Sequence, residues 1–106
     1  MNPWWILAFS ILAETAGTIC LKLSDGLGRP VPVAAMALLY VVAVWLMGLA
    51  TRRLEVGVAY AVWGGAGTAL VAVIGIYVFD ESLYAAKIMG IMFIVIGIIL
   101  LNLGHR

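Results

Sequence analysis

The sequence predicts an all-α membrane protein of four transmembrane helices. Three observations carry this: an apolar share of 66% against a charged share of 10%, four long apolar runs, and clusters of helix-breaking residues between the runs. A soluble domain is nearer half apolar and about a quarter charged, and a disordered chain is poorer still in apolar residues. Crossing roughly 30 Å of hydrocarbon takes about 20 apolar residues, so four spans consume about 80 positions. In a chain of 106 residues that leaves no space for a nucleotide-binding loop or a catalytic module, and no enzyme is expected. Helices satisfy every backbone group inside lipid. The runs are too long and too uniformly apolar for barrel strands, which need only about ten alternating residues.

The first span is expected over residues 3–21, ending at Lys22. It lacks a basic leader and carries an acid in its middle, so it does not read as a cleaved signal peptide. A breaker-rich turn from Ser24 to Pro30 follows. The second span is expected over 31–50, closed by Thr51-Arg52-Arg53-Leu54-Glu55. The third covers 56–79 and ends at Asp80-Glu81-Ser82. The fourth covers 83–103, and Lys87 near its start can lift its amine to the interface. Trp4, Trp5 and Tyr84 stand at span ends and read as interfacial belt residues. The four spans make one four-helix transmembrane domain over 1–106.

Six basic and five acidic residues leave a net charge of +1. There is no basic patch for nucleic acid. Cys20 is the single cysteine, so neither an intrachain disulfide nor a cysteine zinc site can form; no metal and no cofactor are expected. Lys22, Arg29 and Lys87 fall on one side of the membrane, and Arg52, Arg53 and Arg106 on the other. Loops rich in Lys and Arg normally stay inside, so an even division sets no orientation. Either a small bias is hidden by residue position or by the insertion machinery, or copies insert both ways up.

Glu14 is the one acid placed inside a span. A charge at that depth costs at least about 2.5–3.5 kcal/mol on insertion scales, and such residues mark ion or proton pathways. A lone carboxyl in such a place suits a group that binds and releases protons. The alternative is a protonated carboxyl bonded to a neighbouring helix. Helical spacing puts Leu7, Ser10, Ile11, Gly17, Thr18 and Leu21 on the face of Glu14. An apolar face around one carboxylate fits a greasy cation better than calcium or magnesium, which want several oxygens.

Tyr60 and Trp63 share a face of the third span. Aromatic faces attract organic cations by about 0.5–2 kcal/mol; the alternative is packing or interfacial anchoring. Tyr40 stands inside the second span, with Ala43 and Val44 on its face. Gly64, Gly65 and Gly67 allow either close helix packing or a bend. Gly90 and Gly97 begin a small-residue stripe on the fourth span, expected to form a contact with a second copy.

Met1-Asn2-Pro3, the Ile11-Leu12-Ala13-Glu14 run followed by Gly17-Thr18, Lys22, the segment from Gly57 to Trp63, and Gly90 with Gly97 together resemble the small multidrug resistance transporter family. The resemblance covers essentially the whole chain. It implies a bacterial inner-membrane exporter that works as an antiparallel homodimer, one copy inverted in the lipid bilayer. Protons and small organic cations exchange through the two membrane glutamates. One branch of the family exports guanidinium and typically shows Gly three residues before the glutamate and Trp three after; here those positions are Ile11 and Gly17. Tyr40 matches the promiscuous branch, which exports quaternary ammonium and aromatic cations, and Gly17 is expected to leave room for a bulky cation. The chain departs from the family at Ala43 and Gly64, where serine is frequent and where a cavity is expected. The competing readings are a guanidinium exporter of the same fold, a non-transporting small membrane subunit, and half of a heterodimer, against which the balanced charges argue.

Overall fold

The computed structural model describes residues 2–104. Met1 of the N-terminal motif, and Arg106 of the charge balance, lie outside the described residues. Four helices follow one another: α1 Pro3–Leu23, α2 Pro30–Ala50, α3 Val56–Val78 and α4 Ala85–Gly104. Each has 20 to 23 residues and is long and apolar enough to cross a membrane.

Capping explains where the helices begin and end. The Asn2 side chain accepts a hydrogen bond from the Trp4 backbone at 2.9 Å. Pro3 takes the first helical position, where its missing N–H costs nothing. At the far end of α1, Ser24 is fully buried. Its Oγ donates to the Leu21 carbonyl at 2.6 Å and accepts from the Leu27 N–H at 3.0 Å. The turn reverses through three successive left-handed residues, Asp25, Gly26 and Leu27. Only Gly26 adopts that conformation without steric cost. Pro30 then opens α2.

The third turn departs most from the expected bounds. Helix is absent from 79–84, whereas α3 was expected to reach Phe79 and α4 to begin at Leu83. Asp80 is left-handed, with φ 54°, and the chain folds back on α3. The N–H groups of Phe79 and Glu81 both donate to the Gly75 carbonyl at 3.1 Å. A left-handed residue with such a back-bond is a standard way to satisfy the last carbonyls of a helix.

α1 packs chiefly on α2 and also on α3, while α4 packs on α3. The buried core lies where these first three helices meet the second turn: Leu7 and Ile11 of α1, Ala50 of α2, Leu54 of the turn, and Ala59 and Val62 of α3. A Cβ at Gly65 would stand 3.2 Å from Ile94 Cγ2 and 3.3 Å from Ile98 Cδ1. Gly65 is therefore where α4 comes close to α3. α4 has no buried residue. The whole forms a slab of 43 × 35 × 18 Å, about two helices thick at the usual spacing of roughly 8–10 Å, so the helices do not close around a central chamber.

Candidate membrane carboxylate site

Glu14 lies on the inner side of α1, half-buried. Its Oε1 accepts a hydrogen bond from Thr18 Oγ1, one turn along α1, at 3.0 Å. Thr18 Oγ1 is also 2.9 Å from the Tyr40 hydroxyl of α2. One hydroxyl proton cannot serve both bonds. With Thr18 donating to the carboxylate, Tyr40 donates to Thr18, and the three groups form a directed chain. The other oxygen, Oε2, lies against Gly67 of α3, where an added Cβ would be 3.0 Å away. Three helices thus hold one carboxylate: α1 carries it, α2 supplies the tyrosine, and α3 presents a glycine.

Two cavities meet at Glu14. One, of about 460 Å³, runs between α1 and α3 past Thr18, Trp63, Gly64, Gly67 and Thr68 to Glu81 and Lys87. The other, of about 340 Å³, is bounded by Tyr40, Ala43, Val44 and Trp63. Trp63 borders both, and its enclosed indole N–H has no hydrogen-bond acceptor among the described residues. Tyr60 stacks on Trp63, ring centroids 5.8 Å apart, but is itself largely exposed. No group of three or more His, Cys, Asp or Glu side chains that could hold a metal occurs among the described residues.

Several expected lining residues sit elsewhere. Leu7 and Ile11 belong to the buried core, because the face of α1 that carries Glu14 also turns toward the second turn at its N-terminal half. Ser10 is fully buried and donates to the Ala43 carbonyl at 2.6 Å, which ties α1 to α2. Gly17 offers no room for a cation. A Cβ there would fall 2.6 Å from two carbons of the Tyr40 ring, so the tyrosine fills the space. The glycines of α3 have separate tasks. Gly64 is open and borders the larger cavity, Gly65 faces α4, and Gly67 faces Glu14. α3 continues as helix through all three, so close approach rather than a break in the helix accounts for Gly65 and Gly67. Gly90 and Gly97 would meet no atom within 4 Å and make no close contact inside the chain.

Sequence reasoning missed Thr68, Val71 and Ala72, which border the larger cavity. They follow Gly64 at four, seven and eight positions, a helical spacing that points to the same wall. Glu81 and Lys87 were placed in a turn and at a membrane surface. Only the fold-back of residues 79–84 brings them into the cavity of Glu14.

A family profile described as Small Multidrug Resistance protein matches residues 2–94. The multidrug resistance protein EbrA of Bacillus licheniformis is 39% identical over 98 residues, covering 92% of this chain and 93% of that protein. The multidrug transporter EmrE of Escherichia coli is 34% identical over 106 residues, 100% of this chain and 96% of its own length. The nicotine metabolites export pump subunit NepA of Paenarthrobacter nicotinovorans is 38% identical over 103 residues, with 97% and 89% covered.

Proposed function

Since the chain belongs to the small multidrug resistance family, we propose that it is a proton-coupled antiporter of lipophilic and quaternary ammonium cations. Its multi-pass membrane character follows from four apolar helices and from relatives that are membrane transporters. The finer reading is that it works in a bacterial inner membrane as two oppositely inserted copies, and that Glu14 binds protons and cations in turn. One observation carries it: a single half-buried carboxylate borders both cavities. A cation entering either cavity competes with a proton for the same oxygens, and that competition is what couples two fluxes.

The cavity walls support the substrate class. The larger cavity falls within the range of about 300–1,000 Å³ typical of small-molecule sites. Close to Glu14 the hydroxyls are few: Thr18 in the larger cavity and Tyr40 in the smaller one, since Ala43 and Gly64 carry none. Guanidinium needs several acceptors to replace its water, whereas an alkylated cation gains about 25 cal/mol per Å² of apolar area buried. The case for bulky cations rests on the open wall at Gly64 and the indole of Trp63, and no longer on Gly17.

The test is exchange in liposomes. Purified protein should take up tetraphenylphosphonium against an outward-directed proton gradient, much faster than guanidinium. Glu14→Gln keeps the shape and removes the titratable charge, so exchange should fall to the protein-free level while the protein remains folded. Proton-driven exchange by that variant at the wild-type rate would refute the role of Glu14. Guanidinium exchange without tetraphenylphosphonium transport would refute the substrate class alone. NepA is named as a pump subunit, which favours a second reading in which the partner is a different chain. Exchange by the purified chain on its own decides against that reading.

A further inference from the structure

We infer that Glu81 is an outer cation station of the Glu14 cavity, occupied at rest by the Lys87 ammonium, which an incoming organic cation displaces. This inference deepens the exporter reading above and depends on it.

The geometry is unusual for an ion pair that only holds a turn. The Glu81 carboxylate is laid against Gly75 of α3, in the place where any side chain at position 75 would have to be. It therefore forms part of the cavity wall and separates the Glu14 cavity from a second one reaching Lys22. The carboxylate, on a side chain 46% exposed, is open to the outside and holds no close donor among the described residues. Lys87 Nζ stands 3.8 Å from Oε1, beyond hydrogen-bond range. No hydrogen bond to the Glu81 carboxylate exists among the described residues. Lys22, which borders the second cavity, lies over the Phe79 ring at 5.9 Å. A carboxylate left this way favours any cation that reaches it.

Lys87 is free to give way. Its side chain is 16% exposed, withdrawn from solvent into the cavity end. Its hydrogen bond goes to the Ser82 carbonyl at 3.0 Å, and its ammonium lies 5.9 Å from the centroid of the Tyr84 ring. Both contacts survive if the carboxylate is taken by another cation. The charges along the cavity then run Glu14, Glu81 and Lys87, one negative in sum when Glu14 is ionised. Removing Lys87 makes the cavity doubly negative, and removing the Glu81 charge makes it neutral. A pair whose loss only loosened the turn would shift both variants in the same direction.

The experiment measures association of tetraphenylphosphonium with the full-length protein in lipid nanodiscs, by stopped-flow quenching of tryptophan fluorescence at low ionic strength. Lys87→Met should associate about tenfold faster and Glu81→Gln about tenfold slower, the size a unit charge produces across a partly buried cavity. The double variant should fall between them. For a bis-quaternary dication each ratio should be about the square of that for the monocation, and all ratios should shrink at high salt. Single variants that shift in the same direction overturn the inference, as do ratios independent of substrate charge. If wild-type protein binds neither cation, the exporter reading falls and this one with it. If wild type binds and exchanges while the variants do not diverge, only the outer station is refuted.

Discussion

Gly17→Ala tests how tightly the carboxylate site is built. The added methyl would lie 2.6 Å from Cδ1 and Cε1 of the Tyr40 ring. Carbon atoms rest at about 3.5–4.0 Å, so the ring must retreat by roughly 1 Å. That movement takes the Tyr40 hydroxyl, now 2.9 Å from Thr18 Oγ1, out of hydrogen-bond range. Overpacking costs about 1–3 kcal/mol and a lost hydrogen bond about 0.5–1.5 kcal/mol. Replacing a helical glycine by alanine returns about 0.5–1 kcal/mol. The net destabilisation is then about 2 kcal/mol, within bounds of about 0.5–4 kcal/mol. Reversible unfolding in mixed micelles, followed by circular dichroism as sodium dodecyl sulfate is raised, measures it. Tyr40→Leu removes the ring. On that background the same alanine should cost at least about 1 kcal/mol less, a coupling typical of residues in contact. A Gly17→Ala variant within about 0.5 kcal/mol of wild type, the usual range for a substitution with no structural consequence, would refute the close packing. So would strictly additive costs in the double variant.

Thr18→Ala removes the hydroxyl that links Tyr40 to Glu14, leaving the carboxylate without its donor at 3.0 Å; proton-driven exchange should fall about tenfold, the equivalent of ~1.4 kcal/mol. Thr18→Ser keeps the hydroxyl and should recover most of the rate, and equal losses in both variants would show that the hydroxyl is not the cause. The division of Lys and Arg between the two faces predicts insertion in both orientations, so a cysteine introduced at the exposed Asn2 should divide about equally between labelling from either side of sealed vesicles. Labelling from one side alone would refute the antiparallel pair.

Length and apolarity made the four helices legible, because a backbone in lipid has few other choices. Glu14 stood out for the same reason, as the one acid inside an apolar run. Helix periodicity also put Thr18 on the face of Glu14, where its hydroxyl donates to the carboxylate. What periodicity does not contain is the rotation and tilt of one helix against the next. Leu7, Ser10 and Ile11 share the face of Glu14 by spacing, yet the crossing with α2 and α3 buries them in the core or against Ala43. The path of residues 79–84 was hidden too. It depends on one left-handed aspartate, Asp80, a conformation that an Asp-Glu-Ser string allows but does not demand.

The glycines show why the remainder could not be read. Each removes a Cβ, and in sequence that is all any of them does. In the fold the vacated space stays open at Gly64, Gly90 and Gly97, while at four others a different neighbour takes it: the Tyr40 ring at Gly17, isoleucines of α4 at Gly65, the Glu14 carboxylate at Gly67, and the Glu81 carboxylate at Gly75. Two of those four neighbours are anions, and both border the larger cavity. In apolar surroundings helices associate by packing and polar contact rather than by hydrophobic drive. A glycine that admits a carboxylate therefore places an ionisable group in a wall without a compensating side chain on the facing helix. Glu14 at Gly67 and Glu81 at Gly75 repeat that arrangement two turns apart along α3, since eight residues rise about 12 Å at 1.5 Å per residue. α3 thus lines the route between the two carboxylates with a surface that carries no charge of its own, and a cation passing from Glu81 to Glu14 would travel along that helix.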